Sequence, residues 1–148
     1  MDRLPTGVYL GWDEKVRNLA PRDIDRIFDE WEDRVLRNDR WFSVATFQYS
    51  KSNNYQELQV ARCLSDPKIG YFVIHTTSTD PMCRVIEGSM IEGTVEVEDC
   101  AYDRSVVKRA YIVPPEIAKQ AVQYFATNGS EDPSLPWVSC EVVDPQFD

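Results

Sequence analysis

Apolar positions along this chain follow two rhythms. Between residues 22 and 37, Ile24, Ile27, Phe28, Trp31 and Val35 recur at i, i+3, i+4, i+7 and i+11, one stripe at the helical period. That spacing predicts a helix over 22–37. Pro21 suits its first turn, where a missing N–H costs nothing. Asp23 and Asp25 lie at the positive end of the helix dipole, and Arg34 and Arg37 at the negative end. A second stripe, Ile117, Ala118, Ala121, Val122 and Phe125, predicts a helix that begins at Pro114-Pro115-Glu116. It stops at Asn128-Gly129, where glycine accepts the left-handed conformation.

Elsewhere the pattern shortens to runs of aromatic and β-branched residues. Runs at 41–49 and 55–62, separated by the polar turn Lys51-Ser52-Asn53-Asn54, predict a hairpin. Ser65-Asp66-Pro67-Lys68 interrupts, and 69–77 forms the next strand, centred on Phe72, Val73 and Ile74. Shorter candidates lie at 83–87, 93–98 and 106–113, with Gly88 and Gly93 bracketing a turn or bulge. A short strand at 7–12 and a last one at 137–143, after Pro133 and Pro136, complete the set. Short connections favour antiparallel pairing. The order therefore predicts an α+β fold: an antiparallel sheet of about six strands with two main helices packed on it. We find no internal repeat, low-complexity segment or linker, so residues 1–148 read as one domain.

Composition narrows the function. A hydrophobic fraction of 43% supports a folded core. No apolar run approaches the roughly 20 residues that cross a bilayer, and the first residues lack the apolar stretch of a secretory signal, so the expected location is the cytoplasm. Sixteen basic against 25 acidic residues give a net charge of −9. This opposes direct binding of nucleic acid and docking on anionic membranes, both of which need Lys and Arg, and suits a basic protein partner. The acid is uneven: residues 1–74 carry 11 basic and 12 acidic groups, a net of −1, and residues 75–148 carry 5 and 13, a net of −8.

Familiar catalytic arrangements are missing. Cys63, Cys83, Cys100 and Cys140 form no Cys-x-x-Cys pair, so a zinc ribbon or thioredoxin-like site has no support, and these cysteines read as buried small hydrophobes or free thiols. The single histidine, His75, falls inside a predicted strand with no local sign of a triad and reads as a packed or surface residue. It is followed by Thr76 and Thr77, and Pro81-Met82-Cys83 lacks a second cysteine, which opposes nucleobase-deaminase chemistry. The segment from Gly88 to Thr94 has the glycines of a phosphate loop without its lysine or its following helix. Carboxylates are plentiful, so a small carboxylate- or metal-dependent hydrolase stays open as the alternative. Otherwise no metal and no cofactor are expected.

The segment 87–103 holds Glu87, Glu92, Glu96, Glu98, Asp99 and Asp103 and no base. Strand alternation places Glu92, Thr94, Glu96 and Glu98 on one face and Val95 and Val97 on the other, against the core. Such a row is either a solvated face or a docking face for a cationic partner, where charge accelerates encounter. Tight binding also needs desolvated anchors. Tyr102 and Tyr111 are near, with Tyr111 read as core.

The run Ala110-Tyr111-Ile112-Val113-Pro114-Pro115-Glu116-Ile117-Ala118-Lys119-Gln120-Ala121-Val122-Gln123-Tyr124-Phe125-Ala126-Thr127-Asn128-Gly129, followed by Pro133 and Pro136-Trp137, resembles the C-terminal part of Immunity protein family 1, from bacterial polymorphic-toxin systems. The shared pattern is a strand ending in Val-Pro, a helix with Ala-x-x-Ala-x-x-x-Phe spacing, a glycine stop, and a proline before tryptophan. The same residues read structurally as core packing. The resemblance implies a non-enzymatic antidote that binds a co-encoded secreted toxin in the producer's cytoplasm. The toxin would be a nucleic-acid-targeting deaminase or nuclease with a basic groove, held 1:1 and occluded at its active site. The residues expected to meet it are Glu92, Glu96, Glu98, Asp99, Tyr102 and Asp103. A structural subunit or adaptor is a third reading.

Overall fold

The computed structural model describes residues 5–10, 19–37, 44–51, 54–64, 66–77, 83–100 and 103–141. The outer positions of three expected strands (11–12, 41–43 and 142–143), the turn residues Ser52 and Asn53, Ser65, Pro81-Met82 and Tyr102 lie outside them.

Helix α1 spans Pro21–Leu36 and buries Ile24, Ile27, Phe28, Trp31 and Val35, the stripe read from the sequence. Its start is a reciprocal cap: the Ala20 N–H donates to the Asp23 carboxylate at 2.9 Å, and the Asp23 N–H donates to the Ala20 carbonyl at 2.9 Å. The Ala20 N–H holds the Asp23 carboxyl below its ordinary value, with Arg26 and Arg22 adding to the effect. Helix α2 spans Pro115–Asn128 and buries Ala118, Ala121, Val122, Phe125 and Ala126. Gly129 ends it at φ 69°, donating its N–H to the Phe125 carbonyl at 2.7 Å. A Cβ at Gly129 would run into the Tyr49 ring, so packing and backbone both demand glycine there.

Among the described residues the strands are β1 (Thr6–Leu10), β2 (Val44–Lys51), β3 (Asn54–Arg62), β4 (Tyr71–Thr77), β5 (Arg84–Ile86), β6 (Thr94–Cys100), β7 (Asp103–Lys108), β8 (Ile112–Val113) and β9 (Trp137–Ser139). The main sheet is antiparallel throughout, in the order β1-β2-β3-β4-β5-β9. Strand β8 pairs with Tyr71 and Phe72 of β4, and β5 with Ile74 and His75, so they share one edge of β4. Strands β6 and β7 form a separate two-stranded ribbon. The α+β class expected from the sequence is the observed one.

One expected strand divides. The run 106–113 breaks at a 3-10 turn over Arg109–Tyr111, leaving β7 in the ribbon and β8 in the main sheet. The Arg109 N–H bonds to Gly93 O at 2.9 Å, which closes the ribbon there. The Ala110 carbonyl accepts from the Gly88 N–H at 2.7 Å.

Three layers result. Both helices cover one face of the main sheet, burying Phe28, Trp31, Phe47, Tyr71 and Phe125 between them. The ribbon covers the other face, its Val97 and Val107 packing with Val44, Ala61, Cys63, Phe72, Val85, Tyr111 and Ile112. Each large apolar side chain so buried contributes about 1.5–3 kcal/mol. Strand β4 explains its unbroken apolar run this way: Tyr71 and Val73 point to the helices, and Phe72 and Ile74 to the ribbon side. No described helix is long and apolar enough to cross a membrane.

Candidate interaction surface

Ribbon geometry determines which acids reach solvent. Val95 pairs with Val107, and Val97 with Ser105, so the apolar positions face the sheet as the alternation requires. On the opposite face Thr94 and Glu96 are exposed, and Glu92 is exposed just before the ribbon.

The expected single row of acids does not assemble. Glu98 is buried, 2% exposed, and its Oε2 lies 3.9 Å from Nη2 of the equally buried Arg62 on β3. That separation is an ionic contact rather than a hydrogen bond. The cause lies at the end of β6. Val97 forms an antiparallel bridge with Cys63, and the Leu64 N–H donates to the Glu96 carbonyl at 3.0 Å. The chain at the end of β3 thus pairs antiparallel with β6, which brings Arg62 beside Glu98 in the interior. Glu96 stays outside, with Nη1 of Arg104 on β7 at 3.8 Å. Asp99 and Asp103 contribute backbone to the ribbon, and their side chains, like Tyr102, lie outside what is described. The base-free run 87–103 therefore acquires one base from β3 and one from β7, which the composition of the run itself does not reveal. Tyr111 is core as expected, 1% exposed, with its hydroxyl accepting from the Glu141 N–H at 3.0 Å.

Next to the ribbon, residues 88–93 present a feature that the sequence reading passed over. Met90 is 90% exposed and Ile91 54% exposed, side by side at a tip between two glycines. The loop carrying them is tied down at both ends. The Glu87 N–H donates to Pro136 O at 3.0 Å and the Gly88 N–H to Ala110 O, while Gly93, at φ 106°, accepts from Arg109. A Cβ at Gly88 would come within 2.7 Å of Val113 Cγ1 and 2.9 Å of Ile112 O, so only glycine lets the loop lie against β8. The Ile91 N–H donates to Ser89 Oγ at 3.3 Å within the tip. Adjacent apolar residues at a turn, where polar ones are the norm, were the available signal. The outcome is an apolar projection, anchored at both ends and followed by Glu92 and the strand that carries Glu96.

His75 belongs to a different cluster. Nδ1 lies 2.9 Å from Glu131 Oε2 and Nε2 lies 2.6 Å from Gln56 Oε1. Its ring sits between Phe125 and Trp137, with centroids at 5.9 and 6.1 Å. Glu131 also accepts from Arg84 Nε at 2.9 and 3.1 Å, and Arg84 Nη2 donates to the Trp137 carbonyl at 3.3 Å. With both ring nitrogens engaged, none is left for a substrate in this arrangement. The cluster clamps the segment after α2 onto β4 and β5.

That segment is knitted further by Asp132, which accepts from Gln120 Nε2 at 3.0 Å and from the Ser134 N–H and Oγ at 2.9 and 2.7 Å. Burial works to raise the Asp132 carboxyl, and these hydrogen bonds bring it below its ordinary value. Burial pushes the Cys63 thiol up to about 11, so it is no nucleophile at neutral pH. Among the described residues no three His, Cys, Asp or Glu side chains gather as a metal would require. Compared with protein-family models, curated proteins and solved structures, the chain matches none of them.

Proposed function

We propose that this chain is a stoichiometric, non-catalytic inhibitor of the immunity-protein kind. It binds a toxin encoded beside it, in the producing cell's cytoplasm, and covers the toxin's active-site groove. The observation that carries this reading is the anchored 88–93 loop, which holds Met90 and Ile91 out in solvent and leads into exposed Glu92 and Glu96. An anchored backbone has little conformational entropy left to lose on docking, and the apolar side chains it carries supply the desolvated anchors that affinity needs. The neighbouring carboxylates and the net charge of −9 favour encounter with a basic groove, the surface carried by toxins that act on nucleic acids. Relative to the six residues read from the sequence, the contact centre shifts to Met90, Ile91, Glu92 and Glu96, because Glu98 is enclosed.

Calorimetric titration of the purified full chain with the toxin domain encoded beside it tests the proposal. The expected result is a 1:1 complex with loss of toxin activity. Glu92→Lys combined with Glu96→Lys slows association by at least about tenfold at low salt. Absence of a complex sinks the function, and an unchanged association rate sinks the surface.

A further inference from the structure

Cys83 and Cys140 are far apart in sequence and directly opposed in the fold. The β5–β9 register pairs Arg84 with Ser139, Val85 with Val138 and Ile86 with Trp137. One step beyond the end of that ladder, Cys83 lies opposite Cys140, joined by a single backbone hydrogen bond from the Cys140 N–H to the Cys83 carbonyl at 3.0 Å. Directly opposed residues of an antiparallel pair project from the same face. Both cysteines are half-buried and neither is disulfide-bonded here, which leaves them within reach of a small oxidant.

We propose that Cys83 and Cys140 form a reversible cross-strand disulfide that clasps the edge strand β9 onto β5. A hydrogen-bonded antiparallel pair sets its Cα atoms about 5.5 Å apart. That lies inside the roughly 4.4–6.8 Å that a disulfide spans. The Cβ atoms of such a pair start near 5.5 Å apart, wider than the roughly 3.5–4.5 Å of a relaxed bridge. Closing the bond therefore draws the strand ends together. A bridge closed under tension is reduced more easily than a relaxed one, which suits a responsive clasp rather than a permanent staple. Cys63 is fully buried in the layer between sheet and ribbon, so a small oxidant reaches the pair at the edge before it reaches Cys63.

The oxidant is a small-molecule disulfide. The thiolate of one cysteine attacks its S–S bond, forming a mixed disulfide and expelling one small thiolate. The thiolate of the second cysteine attacks the protein sulfur of that mixed bond and expels the other. The protein loses two electrons and the oxidant gains them, and the two thiol protons pass through solvent to the two released thiolates.

Each cysteine falls in its own tryptic peptide: Cys63 in 63–68, Cys83 in 69–84, Cys100 in 85–104 and Cys140 in 120–148. The native full chain is incubated with oxidised glutathione, quenched in acid, alkylated, digested and weighed. The expected product joins 69–84 to 120–148 with the loss of two hydrogens, and dithiothreitol separates it. Cys140→Ser abolishes the joined species and leaves Cys83 as a glutathione adduct. In urea the joined species loses its predominance, because only the fold opposes the two residues. Recovery of Cys83 and Cys140 from the native chain as separate adducts, as alkylated thiols, or joined mainly to other cysteines overturns the proposal.

Discussion

Arg62 and Glu98 meet 3.9 Å apart with both side chains inside the protein, joining the main sheet to the ribbon. Withdrawing a carboxylate from water costs several kcal/mol unless a counter-charge stays beside it. Arg62→Met strands Glu98 and is expected to lower stability by about 3–5 kcal/mol. Replacing both, as Arg62→Met with Glu98→Leu, recovers much of that loss, since no buried charge remains. Urea unfolding of the two single variants and the double variant measures the coupling. A strictly additive double variant would show that the pair does not interact.

Gly129 carries two constraints that can be separated. Gly129→Ala forces a side chain into the left-handed region and against Tyr49, and overpacking of this kind costs about 1–3 kcal/mol. Gly129→Asn tolerates the backbone better but meets the same ring. If Asn is as costly as Ala, contact with Tyr49 dominates. A clear recovery in Asn assigns the cost to the backbone. Thermal unfolding of both variants reads the difference.

Met90 and Ile91 contribute little to the folded state, because their side chains stay in water. Met90→Ser with Ile91→Ser should leave unfolding within about 0.5 kcal/mol of the parent. The same change is expected to weaken toxin binding by about 2 kcal/mol or more if these residues are the anchors. Equal affinity of parent and variant would remove the loop from the interface.

Acid sensitivity follows from Asp23 and Asp132, whose carboxyls are held below the ordinary value of 3.8. A group depressed in the folded state stabilises it fully above its unfolded value, and that contribution disappears as pH falls through the folded one. The stability difference between the parent and Asp132→Asn is therefore largest near neutral pH and shrinks below about pH 3.8. Denaturant midpoints measured across that range test the sign. A gap that widens on acidification contradicts it.

Cys63, with its thiol pushed up to about 11 by burial, should resist iodoacetamide in the native chain at pH 8 and react once urea exposes it. Mass analysis of peptide 63–68 reads this without interference from the other cysteines. Rapid native labelling at that peptide would contradict its place in the layer between sheet and ribbon.

Local sequence pattern determined the two helices, roughly where they start and stop, and most of the strands. Ile24 to Val35 share a face because 3.6 residues make a turn, and Val95 and Val97 share one because a strand repeats every two, whatever lies across from them. Tertiary structure decided what each side chain meets. Glu96 and Glu98 have equal standing in the sequence, yet one is exposed and the other enclosed, because the end of β3 pairs with β6 and sets Arg62 beside Glu98. His75 finds Glu131, Arg104 approaches Glu96, and Cys83 faces Cys140 through chain pairings that no single segment encodes. Burial and charge compensation depend on neighbours brought together from distant parts of the chain, and only the assembled layers supply them.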